Sequence, residues 1–141
     1  DEQDHQTGDV KDGVPFQPDF KQQDEVFHGF VKRYPNIKCI ARHVRYAHSC
    51  SENSLMAYLW YDGKTYESQK LRFHILDRVG GGDAFVSGII YALMNEYKPQ
   101  DIADFGVAAS AVKHTIHGDG NITDDVSLIE HIMQMNFDIK R

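Results

Sequence analysis

The chain has 141 residues, 41% of them hydrophobic, enough for one domain, or part of one, with a real core. Fifteen Lys and Arg against 21 Asp and Glu leave a net charge of -6, which argues against a general nucleic-acid surface, since phosphate contacts need clustered cations. No apolar leader or bilayer-length apolar run is visible, so no membrane partner is expected, and small-molecule chemistry in the cytoplasm is the simplest remaining class.

Residues 1–19, rich in Asp, Gln, Gly and Pro, show no sustained period and read as an irregular surface loop. The spacing of Phe20, Val26, Phe27, Phe30, Val31 and Tyr34 predicts a helix, stopped by Pro35 and Asn36. IKCIARHV, residues 37–44, is an apolar run of strand length that carries Cys39, whereas Cys50 falls in a loop. With no sign of export, both cysteines are expected to be free thiols. Asp62-Gly63 between apolar runs signals a hairpin, so strands are expected at about 55–61, 64–68 and 71–76.

After DRVGGGDAFVSG at 77–88, residues 83–97 carry Phe85, Ile89, Ala92, Leu93 and Tyr97 at helical spacing. Pro99 ends that helix and opens a second, to about residue 116, whose small run Ala108 to Ala111 suits close approach to a neighbour or a flat ligand. A last helix at about 124–134, capped by Thr123 or Asp124, would turn Val126, Ile129, Ile132 and Met133 inward. The pattern is α/β, and a single strand-to-helix crossover with no later strand reads as the closing half of a larger fold.

Three glycines before a helix place backbone N–H groups, which lack intrahelical partners, where an anion can approach them without interference from any Cβ. Asp83 then has two readings. It is an N-cap over a tight turn, or it is a general base that takes an alcohol's proton while the amides stabilise a phosphoryl group. The phosphate loop GxxxxGK followed by Ser or Thr is absent, and GGGDAFVSG does not fit GxGxxG, because Phe85 stands at the third glycine.

DRVGGGDAFVSGIIYAL resembles the C-terminal signature of the ribokinase-like (PfkB) carbohydrate kinases, in which an acidic residue, a short spacer and Gly-x-Gly-Asp precede a helix. VRYAHSCSENSLMAYLWYDGKTYES and AASAVKHTIHGDGN are similar to segments of the 2-keto-3-deoxygluconate kinases of that family, and the resemblance covers about residues 34–135. It implies the C-terminal portion of a three-layer α/β/α sandwich at 20–141, with the N-terminal half and lid absent. It implies ATP-dependent phosphorylation of a sugar acid, with Mg2+ and a monovalent cation as cofactors and a homo-oligomer formed through the lid.

The same resemblance makes Asp83 the catalytic base and Gly80, Gly81, Gly82 and Asp83 the anion hole. Gly81 stands where many relatives have alanine, a departure expected to be harmless. Arg45 matches a basic position near the nucleotide phosphates, although a surface cation at a strand end fits equally well. Ala108, Ala111 and Val112 would border the adenine, and Asp119 would lie near the sugar acid. The family's Asn-x-x-Glu motif falls near the start of the chain, where DEQD is at best a remnant, so no metal residue is assigned.

Other chemistries have less support. His43, His48 and Cys50, or His114 and His117, lack the paired spacings of a zinc site; His43 fits strand alternation, and His114 and His117 fit a helix end that favours cations. Ser49, Ser51 and Ser87 have no GxSxG context. Tyr58, Trp60 and Tyr61 lack a basic surround and read as strand packing. A kinase for another sugar and a non-catalytic nucleotide-binding or interaction module remain the alternatives.

Overall fold

The computed structural model describes residues 19–115 and 126–138, with side chains as far as residue 134. Its centre is an antiparallel sheet. β2 (Glu52–Tyr61) pairs along one edge with β1 (Cys39–Ala47) and along the other with β3 (Lys64–Glu67) and β4 (Leu71–His74), which lie end to end.

The β2–β3 hairpin turns at Asp62 and Gly63, both at positive φ (46° and 86°), as the Asp-Gly pair requires. Between β3 and β4 the register slips by one. Tyr58 faces Glu67 but Leu55 faces Leu71, so residues 68–70 stand opposite 56 and 57 as a bulge. Ala57 N–H donates to Ser68 Oγ (2.7 Å), Ser68 N–H to Ala57 O (2.8 Å), and the displaced Gln69 N–H to the buried Asp104 carboxylate (2.8 Å).

Alternation along β2 divides two cores. Leu55, Ala57 and Leu59 face α2 (Gly81–Met94) and α3 (Pro99–His114), and join Phe85, Ile89 and Phe105. Met56, Tyr58 and Trp60 face the other way, with Val44, Tyr46 and Phe27 of α1 (Phe20–Arg33). The last helix, α4 (Val126–Asp138), packs Val126, Ile129, Ile132 and Met133 against the first core, as their spacing predicts. Helices cover both faces of the sheet in an α/β/α arrangement.

Two expectations shift. α1 buries only Gln23 and Phe27 and leaves Phe20, Val26, Phe30 and Tyr34 exposed, because the stripe that meets the sheet is narrower than the apolar set suggests. β1 runs on to Ala47, so Arg45 lies within the strand opposite Leu55 and not at its end. The small-residue run of α3 meets a neighbouring helix: a Cβ on Gly88 would lie 2.8 Å from Ala109 Cβ and 3.1 Å from Gly106 Cα. His117, Asp119, Thr123 and Asp124 lie outside the described residues. Among those described, no helix is long and apolar enough to cross a membrane, and Cys39 and Cys50 are free, Cys39 only partly buried.

Candidate active site

α2 starts two residues before Asp83. Gly80, left-handed at φ 79°, is the N-cap, and Ala84 N–H closes the first turn on Gly80 O (2.9 Å). Asp83 is therefore the third helical residue and not the cap, which removes one of its two readings. The N–H groups of Gly81, Gly82 and Asp83 have no intrahelical acceptor, and the exposed Asp83 carboxylate has no hydrogen-bond or ion-pair partner among the described residues.

Beside this turn lies a recess of about 240 Å³ lined by His43, Arg45, Leu55, Arg78, Gly81, Gly82 and His114. His43 and Arg45, two apart on β1, share the sheet face that looks toward α2. The His43 ring packs on Phe85 at 4.8 Å between centroids. Arg78, from the DRVGGG turn, donates to Cys50 O (3.3 Å), and Asp77 Oδ1 accepts from Val79 N–H (3.0 Å), which tightens the approach to the glycines.

Desolvation lowers the pKa of His43 below its ordinary value, although the residue as a whole stays exposed; Arg45, His114 and Arg42 push the same way. Burial likewise lowers His114, opposed by its bond to Ser110 O and aided by Arg45, Lys113 and Arg78. Both imidazoles are thus held toward the neutral form, and the standing positive charge of the recess belongs to Arg45 and Arg78. His114, at a helix end that favours cations, is instead buried, and desolvation pushes its pKa down.

The structure brings Arg45 to the same recess as Gly81 and Gly82, with Gly80 at the cap and Asp83 one residue further on. Ala108, Ala111 and Val112 do not line it; they are buried, Ala108 fully. Glycine at position 81 is matched by its surroundings, because a Cβ there would lie 2.3 Å from His114 Cε1 and the ring would have to shift to admit one.

Arg78, His43 and His114 were given no role in the site by the sequence. The alternation of His43 with Arg45 was the legible signal for one of them. Among the described residues no three His, Cys, Asp or Glu side chains converge as a metal site, and no residue is assigned to a cation.

Residues 56–125 match the family described as pfkB family carbohydrate kinase. Over 71 residues the chain is 31% identical to 5-dehydro-2-deoxygluconokinase of Clostridium botulinum (strain Alaska E43 / Type E3), a match covering 50% of this chain and 20% of that protein. The fold superposes on 2-dehydro-3-deoxygluconokinase from Thermotoga maritima with a TM-score of 0.77 at 27% identity, over 86% of this chain and 37% of that one. It also superposes on a PfkB family carbohydrate kinase from Listeria grayi DSM 20601, with a TM-score of 0.69 at 32% identity, over 79% and 34%. The chain spans about a fifth of the length of the curated relative it matches.

Proposed function

The chain belongs to the pfkB family of carbohydrate kinases, with a ribokinase-like fold, and on that premise we propose that the protein transfers the terminal phosphoryl group of ATP to a hydroxyl of 2-keto-3-deoxygluconate. The observation that carries this reading is the exposed Asp83 carboxylate, without a partner among the described residues, directly after two glycines whose amides, unbonded among those residues, border a recess with two guanidinium groups.

Asp83 takes the proton of the attacking hydroxyl. The amides of Gly80, Gly81, Gly82 and Asp83 face the charge that builds on the phosphoryl oxygens, with the positive end of the α2 dipole behind them. Arg45 and Arg78 hold the phosphates, and the proton need not cross the recess, because base and anion hole are successive residues of one helical turn. Magnesium would shield phosphate charge; no residue described here is assigned to it, and no step is routed through it. Nucleotide contact at Ala108, Ala111 and Val112, and sugar-acid contact at Asp119, rest on the resemblance alone.

The substrate class is supported by relatives named for two keto-deoxygluconates, 5-dehydro-2-deoxygluconate and 2-dehydro-3-deoxygluconate. The first is the competing substrate. We place the reaction in the cytoplasm, where ATP is available.

ATP-dependent phosphorylation of both acids by the intact protein and by Asp83→Ala tests the proposal. Turnover should fall at least about a hundredfold in the variant while ATP binding is retained. Unchanged turnover would remove Asp83 as the base, and a preference for the 5-keto acid would reassign the substrate.

A further inference from the structure

His114 ends α3, where the last carbonyls of a helix have no partner inside it. Its own carbonyl accepts from two successive amides, Leu76 N–H (2.9 Å) and Asp77 N–H (3.1 Å), which begin the loop that leads to the glycines. Its ring reaches the other end of that loop. The imidazole is only 3% exposed, packs on Phe73 at 5.3 Å, and sits where a side chain of residue 81 would be, with the Gly81 Cβ position 2.3 Å from Cε1 and 2.8 Å from Nε2.

The ring is itself fixed. Its Nδ1 lies 2.6 Å from Ser110 O, a carbonyl that can only accept, so the proton is on Nδ1. One turn earlier on the same helix, Ser110 Oγ donates to Gly81 O (2.8 Å). Residues 110–114 therefore grip the loop at residues 76 and 77 and again at 81. Among the described residues, the amides of Gly81 and Gly82 have no other hydrogen bond to aim them.

We infer that His114 is a positioning residue for the phosphate-binding turn, acting through its packing on Gly81 and not as a ligand of the phosphate. The inference rests on the proposed anion-binding role of that turn. It gives a reason for glycine at position 81: the side chain that would occupy the space has been replaced by a ring from α3, held by hydrogen bonds that a methyl group cannot make.

The test uses the intact protein, its His114→Ala, His114→Asn, Gly81→Ala and Gly81→Ala/His114→Ala variants, and two readouts. One is the split between kcat and KM for ATP-dependent phosphorylation. The other is calorimetric affinity for inorganic tripolyphosphate, which does not depend on turnover.

His114→Ala should lower kcat by about ten- to a hundredfold with less than about a threefold change in KM for ATP, as misaimed amides would. His114→Asn, which keeps an N–H donor near Ser110 O, should recover most of the loss. Gly81→Ala alone should weaken tripolyphosphate binding, and adding His114→Ala should restore part of it, because removing the ring makes room for the methyl group. Multiplying losses in the double variant, or parental kcat and tripolyphosphate affinity in His114→Ala, would overturn the inference. If the parent binds tripolyphosphate but phosphorylates no sugar acid, the proposed reaction fails while the positioning role is still decided by the coupled affinities. Should His114→Ala not fold, His114→Asn with Gly81→Ala supplies the same comparison.

Discussion

The His114 ring fills the space that a side chain on Gly81 would need, with Cε1 2.3 Å from the missing Cβ. Gly82, the next residue, has only His43 Cε1 nearby among the described residues, at 3.8 Å. Two adjacent glycines of one helical turn thus differ in what they protect. Gly81→Ala should cost about 1–3 kcal/mol, the usual range for overpacking. Gly82→Ala should be neutral or stabilising by up to about 1 kcal/mol, through helix propensity, yet still hinder anion approach. Urea unfolding of the two variants measures the contrast.

The crossing of α2 and α3 depends on Gly88, whose added Cβ would meet Ala109 Cβ and the Gly106 backbone. The favourable helix propensity of alanine, about 1 kcal/mol, opposes a comparable or larger packing penalty. Gly88→Ala should therefore be destabilising by about 1–2 kcal/mol, and Gly88→Val by more, as a falling denaturant midpoint.

Asp104 joins the sheet bulge to α3 through Gln69 N–H, and its carboxylate also lies 3.3 and 3.4 Å from Gln100 Nε2. Asp104→Ala would leave a buried amide unsatisfied, at a cost of about 1–3 kcal/mol. Asp104→Asn keeps an acceptor oxygen and should cost less. Amide exchange at Gln69, rapid in the alanine variant and slow in the parent, would locate the effect.

His43 and His114 both have folded-state pKa values below the ordinary 6.5, first because of desolvation. The unfolded chain then binds more protons than the folded one as pH falls through that value, so stability is complete above about pH 6.5 and is lost as pH drops toward the folded pKa values. Tripolyphosphate has the opposite effect on the two rings, since an anion in the recess favours imidazolium. Its affinity should rise on going from pH 7.5 to 5.5, with proton uptake measurable by calorimetry in buffers of different ionisation enthalpy. His43→Gln combined with His114→Asn should flatten both profiles.

Arg78 shares the recess with Arg45 but approaches from the turn and not from the sheet. Arg45→Gln and Arg78→Gln should each weaken tripolyphosphate binding by about tenfold or less at low salt, with the difference from the parent shrinking as salt is added. Calorimetry in 20 and 300 mM NaCl would check this.

Much of the fold was legible because its signals are local. Asp62-Gly63 turned as its φ preferences demand, Pro99 opened α3, and Ile89 and Ala92 took the buried face of α2 that their spacing predicts. The glycine turn was legible for the same reason, since chain conformation and amide access are properties of the residues themselves. The bulge at 68–70 was not, because a one-residue slip is settled by which partner satisfies Gln69 N–H, and that partner is 35 positions away.

The sequence by itself determined the order of elements, the hairpin, the free amides before α2 and the placing of a carboxylate directly after two glycines, because each depends on backbone preferences within a few residues. Only the tertiary structure decided what surrounds them. Packing α3 beside α2 put His114 against Gly81, and the sheet set His43 and Arg45 opposite the same turn, so that a ring at a helix end that favours cations is instead desolvated, with its pKa pushed down. Charge state, steric necessity and the aim of an amide are set by distant residues brought together, and no local pattern encodes them.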